Sequence, residues 1–116
     1  MEKNQYIPVM IQSLKKKSEI LDTIMELNIR QSEELENPAL DPDDFDKTVE
    51  EKSKQIEQLD LLDDGFQELF DRVKDDLKNH QDIYRDEITQ MQDYIRKLTS
   101  KSATIQVQEA RNKDLM

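Results

Sequence analysis

The chain has 116 residues, 38% of them charged and 34% hydrophobic, with a formal net charge of −10. That length holds one domain and not two with separate cores. An acid excess of this size disfavours nucleic acid and anionic membrane as general partners, because both are held through positive charge, and the absence of cysteine excludes disulfides, thiolate metal sites and cysteine nucleophiles.

One glycine, three prolines and no tryptophan fit long helices with wide solvated faces. Disorder is the competing reading of such a composition, and it fails because the apolar residues are periodic and not merely scarce. The charge is uneven: residues 36–64 hold eleven acids against three bases, a net −8, whereas residues 94–113 carry Arg96, Lys97, Lys101, Arg111 and Lys113 against Glu109 alone. No apolar run in the first twenty residues is long enough for a signal peptide or a membrane span, since Lys15, Lys16 and Lys17 follow a short mixed segment. A cytoplasmic protein without membrane insertion is the expectation.

In chain order, Ile7, Ile11, Leu14, Leu21, Met25 and Leu35 fall on a stripe whose steps alternate between four and three residues. Pro8 is compatible with a helix only in its first turn, where its missing amide hydrogen has no partner to lose, so the first helix is placed at about residues 5–36. Asn37 and Pro38 stop it, and the NPALDPDD run reads as a reversal of direction.

Asp41 before Pro42 is an N-cap and first-turn pair, and Asp43 and Asp44 put negative charge at the positive end of the helix dipole. The second helix then carries Phe45, Val49, Lys52, Ile56, Leu59 and Leu62 on its stripe, with Glu50 and Lys54 paired on the outer face. Asp63, Asp64 and Gly65 break this pattern and Phe66, Leu69 and Phe70 restart it, which predicts a hairpin at the glycine and a second helix of about 42–63.

From Phe66 a third stripe runs through Phe70, Val73, Leu77, His80, Tyr84, Ile88, Met91, Ile95, Leu98, Ser102 and Ile105. Its steps are four or three throughout, apart from two consecutive fours at 80, 84 and 88, a stutter that relaxes a left-handed supercoil. The third helix is placed at about 66–100. Thr99, Ser100, Ser102 and Thr104 weaken helix propensity, which makes 101–116 a helical extension or a tail. The expected fold is an all-α antiparallel bundle of three long helices, with a short C-terminal helix as an option. A third helix outlasting the second leaves Ile95, Leu98, Ile105 and Val107 incompletely covered, while Met25 and Met91 read as core.

Chemistry is sparse. His80 has Asp76 one turn earlier, a spacing at which imidazole and carboxylate can share a metal, but no further ligand joins them, and a metal site needs three or four. The aspartate runs read as solvated helix faces without the pocket that would shift a pKa. There is no EF-hand spacing, glycine-rich phosphate loop or serine elbow. The expectation is a protein with no catalytic residues, no cofactor and no metal.

The long first helix, the proline-containing turn, the stretch EKSKQIEQLDLLDDGF, the third helix and the tail IQVQEARNK together resemble clostridial FlgN-like proteins. FlgN and its relative FliT are flagellar type III export chaperones. The similarity rests most on residues 51–70, then on Ile105, Glu109 and Asn112. The resemblance implies a cytoplasmic helical bundle that binds C-terminal segments of flagellar axial proteins and delivers them to the export apparatus. The clients are the hook-filament junction proteins for FlgN and the filament cap protein for FliT. Cargo binding in that family maps here onto residues 94–113. The partner-binding set is therefore Ile95, Arg96, Leu98, Lys101, Ile105, Val107 and Glu109, with the aliphatic members supplying contact and the charged ones orientation. The competing expectation is a self-associating helical scaffold, a homodimer that buries the same surface and has no client.

Overall fold

Proline and aspartate set the first reversal. The computed structural model describes residues 4–116 as three helices, α1 (Tyr6–Glu36), α2 (Pro42–Asn79) and α3 (Arg85–Leu115). Between α1 and α2, Asn37 Oδ1 accepts from the Ala39 amide at 2.9 Å. Asp41 Oδ1 caps α2 by accepting from the Asp43 amide at 3.0 Å, with Pro42 in the first helical position.

The second reversal is not at Gly65. α2 runs straight through Asp63, Asp64 and Gly65, and the turn expected there lies at residues 80–84 instead. A mid-helix glycine costs about 1 kcal/mol relative to alanine, whereas each of Leu59, Leu62, Phe66 and Leu69 packs against the core, and such burial contributes roughly 1.5–3 kcal/mol per fully covered side chain. The packing outweighs the glycine. The second helix therefore spans 42–79 and not 42–63, and the third begins at Arg85 and not at Phe66.

The true turn coincides with the stutter in the apolar spacing. α2 closes with the His80 amide donating to the Asp76 carbonyl at 3.0 Å, and the Ile83 and Tyr84 amides both donate to the His80 carbonyl. α3 then continues without a break to Leu115, so neither a tail nor a separate C-terminal helix forms. The hydroxyls that weaken helix propensity there turn back on their own helix: Thr99 Oγ1 donates to the Ile95 carbonyl at 2.9 Å and Thr104 Oγ1 to the Ser100 carbonyl at 3.2 Å.

The result is an all-α, up-down-up bundle in which α1 is the spine. α1 supplies most of the core, with Ile7, Met10, Leu14, Ile20, Leu21, Ile24 and Leu27 all buried, while α2 adds Val73 and Leu77 and α3 adds Met91 and Leu98. Met25 is only partly buried; Met10, off the expected stripe, is fully so. Both α2 and α3 pack on α1, yet their Cα atoms nowhere come within 8 Å of each other. The molecule measures 63 × 20 × 15 Å with a radius of gyration of 18.1 Å, against roughly 13 Å for a compact chain of this length. It is a thin, elongated body with α2 and α3 splayed on either side of one helix.

Candidate functional site: a groove between α2 and α3

Two helices whose backbones stay more than 8 Å apart on either side of a third leave a trough. Its half nearer the α2–α3 loop, about 560 Å3, has Met10 of α1 as floor, Phe66, Phe70, Lys74, Leu77 and Lys78 of α2 as one wall, and Ile88, Met91, Gln92 and Ile95 of α3 as the other. Phe66 and Ile95 also line a second hollow of about 480 Å3 floored by Leu14, with Leu98, Thr99, Ser102, Ala103 and Gln106 on the α3 side. The two hollows adjoin at Phe66 and Ile95 and lie end to end along the groove. Between Ile88 and Gln106 it follows α3 for roughly 27 Å at about 1.5 Å per residue.

The walls are apolar and incompletely covered. The Phe66 and Phe70 rings stack with centroids 6.5 Å apart, Phe70 is 39% exposed and Ile95 is 47% exposed. Phe70 and Leu69 are adjacent in sequence and serve different faces of α2, since Leu69 lines the α1 side together with Val9, Leu61 and Leu62.

Both ends of the groove are tied by polar clusters. At the loop end, Tyr84, 1% exposed, donates its hydroxyl to Asp76 Oδ2 at 2.8 Å and accepts from the Asn4 amide at 2.8 Å. Burial pushes the Tyr84 phenol above its ordinary value; the hydrogen bond to Asp76 and the charges of Asp76 and Glu87 act in the same direction, and the Asn4 amide opposes them. At the far end, Lys52 Nζ of α2 donates to Asn28 Oδ1 and Gln31 Oε1 of α1, each at 3.1 Å, and to Glu109 Oε1 of α3 at 2.7 Å. Asn28 Nδ2 donates to Gln108 Oε1 at 3.2 Å and Asn112 Nδ2 to the Asn28 carbonyl at 3.0 Å. Lys52, the charged member of the second helix's stripe, thus bridges all three helices.

The seven residues expected to bind a partner do not form one patch. Ile95 and Leu98 lie in the groove, Ile95 on its wall and Leu98, only 8% exposed, packed toward α1. Ile105 packs against the core. Lys101 is held by α1, with Nζ at 2.8 Å from Asp22 Oδ1 and donating to Ser18 Oγ at 2.7 Å. Glu109 belongs to the Lys52 cluster, Arg96 pairs with Asp93 on its own helix at 3.1 Å, and Val107 is 71% exposed and lines no part of the groove. The α2 wall was missed because the hairpin expected at Gly65 separated Phe66 and Phe70 from the second helix. The signal was present in the doubled apolar positions Leu69 and Phe70, which serve two faces at once.

His80 Nε2 stands 3.8 Å from Asp76 Oδ1, and no group of three His, Cys, Asp or Glu side chains converges among the described residues. No helix among them is long and apolar enough to cross a membrane. Comparison with protein-family models, with curated proteins and with solved structures yields no match to this chain.

Proposed function

We propose that this protein is a helix-binding chaperone of the flagellar type III export kind, which holds an amphipathic segment of an axial protein in the groove between α2 and α3. The observation that carries the reading is the separation of α2 from α3 over an apolar floor, an arrangement suited to a partner helix laid lengthwise. The hook-filament junction proteins are the first candidate clients, through their C-terminal segments, and the filament cap protein is the alternative. The chaperone acts in the cytoplasm, keeps its client soluble and hands it to the export apparatus, and it makes or breaks no covalent bond. Its resemblance to the FlgN-like sequences supports the client class, and the uncovered apolar walls support the mode of binding.

Magnitudes place the affinity along the groove's length. Phe70 and Ile95 are already partly covered, so each gains about 1 kcal/mol on full burial, well short of the roughly 8 kcal/mol of a micromolar complex. Binding draws on the whole trough from Ile88 to Gln106. Calorimetric titration with C-terminal peptides of hook-junction and cap proteins tests this: one peptide binds the wild-type chain, and Phe70→Asp with Ile95→Asp abolishes the heat while the variant, although lowered in thermal midpoint, stays folded at the titration temperature. Binding that survives both substitutions would place the client elsewhere.

A second reading has its own observation. Val9, Leu61, Leu62 and Leu69 surround Gly65 on the opposite side of α2, and Leu61 is 68% exposed. That face favours self-association as a helical scaffold, with a twofold contact through α2.

A further inference from the structure

We infer that the groove selects an acidic amphipathic helix, seated with its carboxylates against Lys74 and Lys78. The inference rests on the groove being a helix-binding site and adds the chemistry of the occupant.

The first support is what the walls omit. The chain carries 27 acidic residues in 116, a composition that would put four or five carboxylates among the nineteen residues lining the two hollows. They include none, and their charged members are Lys17, Lys74 and Lys78. A trough whose lining carries no carboxylate, inside a molecule of net charge −10, repels an acidic partner less than the surrounding acidic surface, which disfavours simple adsorption of one elsewhere.

The second support is the state of those lysines. Lys17 is engaged with Asp63 across the α1 and α2 interface. Lys74 and Lys78 are exposed and have no carboxylate within ion-pair distance among the described residues. They stand four residues apart, one turn along the same wall, so both face a partner lying in the groove. Carboxylates three or four residues apart on the partner helix match that spacing. The remaining rim is uncharged, with Gln67, Gln81, Gln92 and Gln106 as donors and acceptors along its length. Both free lysines sit toward the loop end, where they also favour the negative C-terminal end of the partner's helix dipole.

The test uses the full chain and two fluorescent peptides of about 18 residues, the length that spans the groove. They share one leucine and isoleucine stripe and differ only in flanking residues, glutamate in one and lysine in the other. Anisotropy titrations read the affinities at low and high salt, for the wild type and for Lys74→Glu with Lys78→Glu. The expected result is at least tenfold tighter binding of the glutamate peptide by the wild type, a preference that weakens with salt and is lost or reversed in the charge-swapped variant. Equal affinity for the two peptides overturns the charge selection and leaves the groove reading standing. Failure of the wild type to bind either peptide overturns both, as does a light-scattering mass showing a second copy of the chain already seated there and displaced by neither. Unchanged thermal midpoints establish that the lysine substitutions leave the fold intact, both positions being exposed.

Discussion

Two residues show how single positions set the bundle's ends and middle. Tyr84 joins the chain's start to α2 through Asn4 and Asp76. Its phenol is raised above the ordinary value near 10, first by burial and then by Asp76. A folded-state pKa above the unfolded one means that the stability from this group is fully present below about pH 10 and is lost as pH rises through the folded value. Alkaline unfolding of the wild type, monitored by circular dichroism, is therefore expected to steepen above pH 10, and Tyr84→Phe to lack that component while melting lower at neutral pH because Asp76 loses a donor. Equal alkaline profiles would contradict the assignment. Gly65 is the opposite case. A methyl group there meets nothing within 4 Å and the backbone is free of positive φ, so Gly65→Ala is expected to raise stability by about 0.5–1 kcal/mol in a urea titration. A loss would mean that the α2 backbone at this point departs from a helix.

At the scale of elements, the fate of α2 explains both what could be read ahead of the structure and what could not. Helix type, the prolines at the first reversal and the Asp41 cap all follow from local chemistry that the chain states openly. The position of the second reversal does not, because two local signals compete. Asp63, Asp64 and Gly65 are poor helix formers, while the shift at 80, 84 and 88 is a break in long-range spacing, and the apolar stripe through Leu62, Phe66, Leu69 and Val73 decides between them. The binding set suffered from the same error. With the turn at Gly65, residues 94–113 appear unsupported; with the turn at residues 80–84, α3 lies alongside α1 for its full length and Lys101, Ile105 and Glu109 become part of the frame. Leu98 and Ile95 therefore separate. Leu98→Asp puts a carboxylate at a position 8% exposed and is expected to cost about 3 kcal/mol or more, whereas Ile95→Asp, at 47% exposure, gives up only the covered half of the side chain and should cost about 1 kcal/mol. Thermal melts of the two variants check the order, and equal midpoints would contradict this packing.

The whole molecule is a frame that is strong at its ends and open between them. Tyr84 with Asp76 and Asn4 closes one end, Lys52 with Asn28, Gln31 and Glu109 closes the other, and α1 forms the floor. Polar clusters at the two ends fix the register of the helices more sharply than apolar contact alone, since a shift of one turn would strand buried donors and acceptors. This lets α2 and α3 stand apart without a packed seam between them. The charge distribution follows the same division: acidic outer faces, and a trough whose charged lining residues are all lysines.

The central claim, that this open trough exists to receive a helix from another protein, is tested most directly by the light-scattering mass of the purified chain, alone and mixed with C-terminal peptides of hook-junction and cap proteins. The account predicts the mass of one 13.8 kDa chain in isolation and a one-to-one complex with one of the peptides, lost on Phe70→Asp with Ile95→Asp. A stable dimer whose mass is unchanged by every peptide would contradict it and make the face around Gly65 and Leu61 the functional surface.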